Sequence, residues 1–219
     1  MSEPVFEFGK SGLPPAGEDG RLDAPAFHRN VDPIWDAISE DLAAKSGAVL
    51  EIGSGTGQHI VTYAARLPHL TFWPSDIMES HRISIDAWRR AASLPNLQPP
   101  RSIDLMQPDW PWQDGPLAAI LCFNVIHIAP WAVADNLMRG AGRHLEAGGH
   151  LIMYGPYKRD GAHTAPSNEA FDASLRGRNP AWGVRDLEAV VELAAANGLT
   201  LIKTTAMPAN NLVLAFERR

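Results

Sequence analysis

The spacing of apolar side chains alternates between two patterns along the chain. In some stretches apolar residues recur at every third or fourth position, which is the period of a helix that buries one face. Between them lie short apolar runs bounded by glycine, proline or charged residues, which are typical of buried strands. The predicted helices cover 30–46, 58–67, 78–92, 131–147 and 184–197, and the predicted strands cover 48–52, 70–73, 97–105, the start of 117–128, 150–156, 199–208 and 210–219.

This order of elements predicts an α/β fold, because strands that alternate with helices form a mainly parallel sheet covered on both faces. The last two predicted strands are joined by a tight turn and therefore form an antiparallel hairpin. We predict a seven-stranded, mainly parallel sheet with this C-terminal hairpin and helices on both faces. Within the helix over 78–92, the pattern places Ile83 and Ala87 on the buried face.

Two segments lack either pattern. Residues 1–28 are rich in proline and glycine and are predicted to form an irregular N-terminal arm. Residues 29–219 are then predicted to form a single domain. Within it, 157–183 is a long polar stretch, and such a long loop in a compact domain is usually functional. We therefore predict that 157–183 is a substrate-side insertion or lid.

Composition narrows the class of protein. The 219 residues include 45% hydrophobic ones, but no apolar run approaches the roughly 18–20 residues of a membrane helix. The N-terminus lacks the basic and apolar regions of a signal peptide. A single cysteine, Cys122, excludes a disulfide framework and favours a reducing, cytoplasmic setting. The formal charge of −6 argues against a nucleic-acid partner. We predict no membrane partner, and oligomeric state is not predicted.

The most informative stretch is a glycine-rich turn, VLEIGSGTGQH, at 49–59. In parallel sheets ligands bind at the carboxyl ends of the strands, and glycine lets the backbone approach them closely. The turn lacks the Gly-Lys-Ser/Thr end of a triphosphate site and the G-x-G-x-x-G spacing of a dinucleotide site. Its Glu51, Gly53, Gly55 and Gly57 match the pattern of class I methyltransferases that bind S-adenosylmethionine (SAM). A glycine turn without a ligand is the alternative.

Two further acids end the next predicted strands. Asp76 could accept hydrogen bonds from both ribose hydroxyls, and Asp104 could accept one from an adenine amino group. Each could instead cap a helix or a turn, which is the commoner use of aspartate. Four neighbouring residues are predicted to bind the cofactor as well, namely Ser54, Ile77, Leu105 and Asn124.

The strand that opens at 117 ends in a lip, Asn124 to His127, that would face the transferred methyl group. We predict His127 as a catalytic residue, because the reference histidine pKa of about 6.5 suits a general base near neutral pH. A structural histidine is the alternative. Because the sulfonium already activates the methyl group, positioning alone could suffice.

Several motifs together resemble the methyltransferase-like 26 family, a group of class I methyltransferase-like proteins. They are RNVDPIW, VLEIGSGTGQH, WPSD, YGPY, SNEAFDASLRGRNPAWGVRD and MPANN. The resemblance covers roughly 28–219 and leaves the arm outside. It implies a Rossmann-like methyltransferase fold and SAM binding, but no particular substrate.

The resemblance also brings in residues that spacing alone does not select. Arg29 could pair with the methionine carboxylate of the cofactor, and Tyr157 is a predicted catalytic and substrate-binding residue. The remaining predicted substrate-binding residues are Trp131, Asn168, Phe171, Arg178 and Trp182. The alternatives are a surface arginine, a structural cap over 167–186, and plain turn residues at Asn210 and Asn211.

These observations predict a SAM-dependent methyltransferase that transfers a methyl group to an O, N or S atom of a small molecule. The product of the cofactor would be S-adenosylhomocysteine (SAH), and no metal is expected. The alternatives are a non-catalytic SAM-binding interaction module and a protein methyltransferase. A nicotinamide oxidoreductase is disfavoured by the glycine spacing.

Overall fold

A computed structural model describes residues 18–219, so most of the predicted arm over 1–28 lies outside the described residues. The helices are α1 (Pro25–Ala43), α2 (Gln58–Arg66), α3 (Glu79–Ala92), α4 (Trp131–His144), α5 (Pro166–Arg178) and α6 (Leu187–Ala196). The strands are β1 (Gly47–Ile52), β2 (Leu70–Ser75), β3 (Leu117–Phe123), β4 (Leu145–Arg159), β5 (Ala162–His163), β6 (Arg185–Asp186), β7 (Leu199–Met207) and β8 (Asn211–Arg218). Short 3-10 turns cover Ile126–Ile128 and Pro208–Asn210.

The strands form a mixed sheet in the order β2-β1-β3-β4-β8-β7. The pairs β1–β2, β1–β3 and β3–β4 are parallel, whereas β8 runs antiparallel to both β4 and β7. The two short strands β5 and β6 pair with the far end of β4. The predicted α/β fold with a C-terminal antiparallel hairpin is therefore confirmed.

The predicted strand over 97–105 is wrong in extent. This segment makes only two isolated parallel bridges to β2, Phe72 to Leu97 and Ser75 to Arg101. Between the bridges stand Pro99 and Pro100, and proline has no backbone N–H to donate to a ladder. This segment therefore runs along the outer edge of β2 but does not form a regular strand.

The core lies on both faces of the sheet. One face packs against α1 and α2, whose apolar stripe includes Ile34, Ile38 and Ile60, all with 0–1% of their surface exposed. The opposite face packs against α4 and α6, with Leu137 and Val190 fully buried. Because β3 is covered on both faces, all seven of its residues are buried, and its sequence is a continuous apolar run rather than an alternating one.

The buried face of α3 differs from the predicted one. Ala87 is buried as expected, but Ile83 is 55% exposed, and the inward positions include Ser84 and Ile85. The Ser84 hydroxyl donates a hydrogen bond to the Thr56 carbonyl oxygen over 2.8 Å. Polar residues therefore face inward here because they satisfy backbone groups of the glycine turn, which an apolar periodicity does not reveal.

The polar stretch over 157–183 contains a helix that the sequence pattern missed. Helix α5 begins at Pro166, a residue favoured in the first turn of a helix. Its buried positions are Asn168, Asp172 and Leu175, so the buried face is mostly polar. Apolar periodicity cannot detect such a helix.

Candidate functional site

A cleft lies at the carboxyl ends of the parallel strands, where the turn after β1 faces the segments after β2 and β3. Five predicted cofactor-binding residues line the cleft, namely Gly53, Asp76, Ile77, Asp104 and Leu105. The rest of the wall is formed by Ile52, Met78, His81, Ile103, Phe123, Val125, Ile128, Ala129 and Val133. The fold therefore brings the ends of the three predicted strands together, as expected.

The turn after β1 requires glycine for two different reasons. Gly53, Gly55 and Gly57 all have positive φ, at +69°, +57° and +91°, a conformation that other residues rarely adopt. A Cβ at Gly57 would also lie 2.9 Å from the Cα of Ile85 in α3. A Cβ at Gly55 would meet no atom within 4 Å. Close packing therefore constrains Gly57, whereas the turn is open above Gly55.

The Asp76 carboxylate is held in place by backbone N–H groups. Its Oδ2 accepts a hydrogen bond from the Gly55 N–H over 2.9 Å, and its Oδ1 accepts one from Met78 over 2.9 Å. The Nδ1 of His81 lies 3.2 Å from Oδ1. A carboxylate offers about four acceptor positions, so these contacts leave capacity for a further donor from the cleft.

Glu51 is a buried carboxyl group beside the same turn. Only 2% of its surface is exposed. Burial raises its pKa to about 7, a hydrogen bond from Ser54 opposes that rise, and the charge of Asp76 adds to it. Within residues 18–219, the Oε2 atom of Glu51 has no hydrogen-bond partner. Because a buried acceptor without a donor is costly, this atom fits a cationic or N–H group of a ligand.

Asp104 both lines the cleft and shapes its own loop. It is partly buried, and its Oδ1 accepts a hydrogen bond from the Met106 N–H over 2.8 Å. Asp104 therefore stabilises its own turn, which was the alternative, and it also lies in the cleft wall. Asn124 has a φ of +59° and lies between two wall residues, Phe123 and Val125.

His127 lies beside the cleft but is buried, with 4% of its surface exposed. Its ring packs closely against Gly155, where an added Cβ would lie only 3.2 Å from the ring. It also packs edge-on against Phe171, with the ring centroids 5.7 Å apart. Burial, aided by the charge of Arg185, lowers its pKa to about 3. His127 is therefore neutral near pH 7 but a weak proton acceptor, so the argument from a pKa near 6.5 fails.

Tyr157 does not lie in the cleft wall. Its side chain is 2% exposed and belongs to the hydrophobic core on the α4 and α6 face of the sheet. Burial raises the pKa of its hydroxyl. Tyr157 stands within β4 and its side chain is packed in this core, so the geometry does not favour its predicted catalytic and substrate-binding roles.

Two of the predicted substrate-binding residues within 157–183 are buried. Asn168 is 5% exposed, and its Nδ2 donates to the Thr164 hydroxyl over 3.2 Å and to the Asn210 carbonyl oxygen over 3.0 Å. Trp182 is 4% exposed. Asn168 and Trp182 therefore fit the alternative of a structural cap over 167–186.

Three other predicted substrate-binding residues are exposed. Phe171 is 37% exposed beside His127, and Trp131 is 38% exposed with the Arg185 guanidinium 5.7 Å from its ring. Arg178 is exposed, and its Nη2 donates to the Ser174 hydroxyl over 3.2 Å. Phe171 and Trp131 therefore present apolar surface to solvent.

The structure also assembles a polar cluster that sequence reasoning missed. The Nε2 atom of His59 lies 2.8 Å from Oδ1 of Asn30. The Tyr154 hydroxyl accepts a hydrogen bond from Nδ2 of Asn211 over 3.0 Å, and the Asn30 side chain lowers its pKa, although burial raises that pKa more. Each of these four residues stands in a motif that carried the family resemblance, so a signal was present, but only the fold brings the motifs together.

Aromatic rings join this cluster to the cleft. The His59 ring lies edge-on to Phe27 and Phe123, with centroids 5.1 and 5.9 Å apart. Phe123 is in turn 6.5 Å from the Tyr154 ring and forms part of the cleft wall. Burial lowers the pKa of His59 to about 4. Arg29 is exposed on α1, and its charge acts on the Tyr154 hydroxyl.

The described end of the N-terminal arm is tied to the helices behind the glycine turn. The Leu22 N–H donates to the Ser84 hydroxyl over 2.9 Å, and the Leu22 carbonyl oxygen accepts from Trp88 over 2.9 Å. The Gln58 side chain accepts from the Ala24 N–H over 2.8 Å and donates to Asp23 over 2.7 Å. This segment is therefore held against α2 and α3 by hydrogen bonds.

Within residues 18–219, no group of three or more histidine, cysteine, aspartate or glutamate side chains is arranged to hold a metal ion. None of the helices in that range has the length and apolar character needed to cross a bilayer.

Solved structures of methyltransferases share this fold. An O-methyltransferase family protein from Burkholderia thailandensis matches with a TM-score of 0.76 and 17% identity over 88% of this chain and 57% of its own. Magnesium protoporphyrin IX methyltransferase from Synechocystis with bound SAH matches with a TM-score of 0.66 and 15% identity over 87% and 83%. Human N-acetylserotonin methyltransferase in complex with SAM matches with a TM-score of 0.71 and 12% identity, over 88% of this chain and 52% of its own.

At such low identities the likeness shows the fold, which is the Rossmann-like fold of class I methyltransferases. The chain spans a little more than half of the length of the Burkholderia protein. A family model described as a protein of unknown function, DUF938, matches residues 21–218. The chain therefore belongs to the DUF938 family.

Proposed function

We propose that this protein is a SAM-dependent methyltransferase that transfers a methyl group to an O, N or S atom of a small molecule. The observation that carries the proposal is Glu51, buried beside the glycine turn with its Oε2 unpartnered within the described residues. An ammonium group of a ligand would supply the missing donor. SAM has such a group at one end and ribose and adenine at the other.

The residues of the cleft fit the other parts of SAM. Asp76, oriented by the Gly55 N–H, would accept hydrogen bonds from the ribose hydroxyls. Asp104 would accept from the adenine amino group, and Ile77 and Leu105 would pack against the adenine ring. The bound cofactor supplies a methyl group already activated by a positive sulfonium.

The work left to the protein is positioning and exclusion of water. His127 is neutral near pH 7 and a poor proton acceptor, because burial lowers its pKa to about 3. We therefore assign His127 to the wall of the acceptor side and not to general-base catalysis. Residues 29–219 would form one methyltransferase domain, with 157–183 on the acceptor side.

A small-molecule acceptor is supported by the charge and by the relatives. The formal charge of −6 disfavours a nucleic-acid partner. One solved relative is named for magnesium protoporphyrin IX and another for N-acetylserotonin, both small molecules. The resemblance to the methyltransferase-like 26 family agrees with this proposal.

The test is isothermal titration calorimetry with SAH and, separately, with NAD. We expect SAH to bind and NAD not to bind. Glu51→Gln should weaken SAH binding about tenfold, because a charged hydrogen bond is lost. Glu146→Gln is the matched control, since Glu146 is exposed at the opposite end of the sheet.

Binding of NAD without SAH would overturn the proposal in favour of a nicotinamide enzyme. SAH binding without methyl transfer from labelled SAM to any small molecule would favour the non-catalytic module. Label recovered in added protein would favour a protein methyltransferase.

A further inference from the structure

We propose that the methyl acceptor is a carboxylate, and that the Tyr154 hydroxyl donates the hydrogen bond that holds its nucleophilic oxygen. This inference rests on the proposed function and narrows it from any O, N or S atom to one kind of oxygen. Its basis is the cluster of Asn30, His59, Tyr154 and Asn211, which stands between the exposed Arg29 and the cleft wall at Phe123.

The direction of each hydrogen bond in the cluster is fixed by its neighbours. Asn30 turns its Oδ1 towards Nε2 of His59, so this nitrogen carries the proton and donates. The Asn30 side chain lowers the pKa of the Tyr154 hydroxyl, and the Tyr154 oxygen accepts a hydrogen bond from Nδ2 of Asn211 over 3.0 Å. An N–H donor thus occupies a lone pair of the Tyr154 oxygen. Its own O–H is left to donate, and a carboxylate oxygen is the strongest acceptor for it.

The charges around the cluster favour an anion. Arg29 is the cation on this side, and its charge lowers the pKa of the Tyr154 hydroxyl, although burial of the ring raises that pKa more. His59 is neutral because burial lowers its pKa to about 4. Among the acids on the same face, Glu51 is assigned to the ammonium group of the cofactor, and Asp32 is paired with Arg66 over 2.7 Å. Tyr154 and Arg29 therefore present donors and positive charge to the acceptor.

The weak basicity of the histidines leads to the same substrate class. An amine acceptor must lose a proton to be methylated, but the pKa of His127 is about 3 and that of His59 about 4. A carboxylic acid is already ionised near pH 7, since its ordinary pKa is about 4. A carboxylate therefore needs no base from the protein.

The transfer balances without a proton. A carboxylate oxygen forms a bond to the methyl carbon, and the bond from sulfur to that carbon breaks with its electron pair left on sulfur. The negative carboxylate and the positive sulfonium become a neutral methyl ester and a neutral thioether. The rings of Phe27, His59 and Phe123 would pack against the rest of the acceptor, which favours an acid attached to a planar apolar group.

The first experiment measures binding without turnover. Benzoate and its neutral isostere benzamide are titrated by calorimetry into the complex of the protein with saturating SAH. We expect benzoate to bind at least about tenfold more tightly than benzamide, because only benzoate gains charged hydrogen bonds. Equal affinities, or no binding of benzoate, would overturn the proposal. Failure of the protein to bind SAH at all would instead overturn the proposed function.

Variants assign the preference to Tyr154. Tyr154→Phe should lose most of the preference for benzoate while SAH binding stays unchanged. Asn211→Asp, which keeps the shape but adds a negative charge beside Tyr154, should weaken benzoate binding further and spare benzamide. Tyr63→Phe is the matched control, because Tyr63 is a fully buried tyrosine on the same face whose hydroxyl donates to the Val31 carbonyl oxygen. An unchanged preference in Tyr154→Phe would contradict the assignment.

A second experiment identifies the methylated atom. SAM with a labelled methyl group is incubated with aromatic carboxylic acids, phenols, amines and thiols of similar size. We expect label only in the acids, released as methanol by mild alkali because the product is an ester. Transfer to phenols, amines or thiols instead, or to none of the four classes, would overturn the proposal.

Discussion

The amide nitrogen of Gly55 lies 2.9 Å from a carboxylate oxygen of Asp76. This hydrogen bond joins the turn after β1 to the end of β2, two segments that are 21 positions apart in sequence. Asp76 therefore has two roles, since the same carboxylate shapes the turn and faces the cleft.

The first prediction follows from this double role. Asp76→Ala should weaken SAH binding about tenfold or more, because a charged acceptor for the ribose is lost. It should also lower the free energy of unfolding by about 1 kcal/mol, because the partly buried N–H groups of Gly55 and Met78 lose their partner. Calorimetry and urea unfolding measure the two effects. Asp135→Ala, at a partly exposed ion pair on α4, is the control, and an unchanged SAH affinity in Asp76→Ala would contradict the ribose role.

The second prediction concerns the turn itself. Gly57→Ala should destabilise the protein by about 1–3 kcal/mol, because the φ of +91° is strained for alanine and the new Cβ would lie 2.9 Å from the Ile85 Cα. Gly177→Ala in α5 is the matched control, since a Cβ there meets nothing within 4 Å. Alanine is the better helix former, so this control should be neutral or slightly stabilising. Equal stability changes in the two variants, measured by urea unfolding, would refute the packing argument.

The third prediction is a pH dependence caused by Glu51. Burial raises its pKa from 4.5 to about 7 in the folded protein, so the folded state holds the proton more tightly than the unfolded state does. The contribution of Glu51 to stability is therefore fully present below about pH 4.5 and is lost as the pH rises to about 7. The difference in unfolding free energy between the wild type and Glu51→Gln should fall over this range and level off above it. A difference independent of pH would show that Glu51 is not held in a protonated form.

The fourth prediction is a pH dependence in the opposite direction, caused by His127. Burial lowers the pKa of His127 from 6.5 to about 3 in the folded protein, so the unfolded state takes up the proton first. The wild type should lose stability as the pH falls from about 6.5 towards 3. His127→Gln should lose less over that range in urea unfolding, whereas His69→Gln, at an exposed histidine, should behave as the wild type. Equal acid sensitivity of the two variants would contradict the burial argument.

The parts of the cleft that could be predicted from sequence are local. Glu51 and the glycines lie within one turn, and Asp76 follows the next strand directly, so strand order alone brings them together. The fold class could be predicted as well, because the alternation of helix and strand patterns is also a local property of the sequence.

The cluster around Tyr154 could not be predicted in this way. Asn30 and Asn211 come from opposite ends of the chain, and they meet because β8 inserts beside β4. Tyr154 and Tyr157 illustrate the same limit, since both stand in one motif but face opposite sides of the sheet. Only the fold shows which of the two side chains lies on the α1 and α2 face.

The proline pair beside β2 has a consequence for association between molecules. The open edge of a sheet can recruit a strand from another chain, which is a route to aggregation. Along this edge the N–H of Leu97 is already taken by the Leu94 carbonyl oxygen, and Pro99 and Pro100 have no N–H to offer. An incoming strand would therefore find no donors over this stretch, so the parallel end of the sheet is protected against adding further strands.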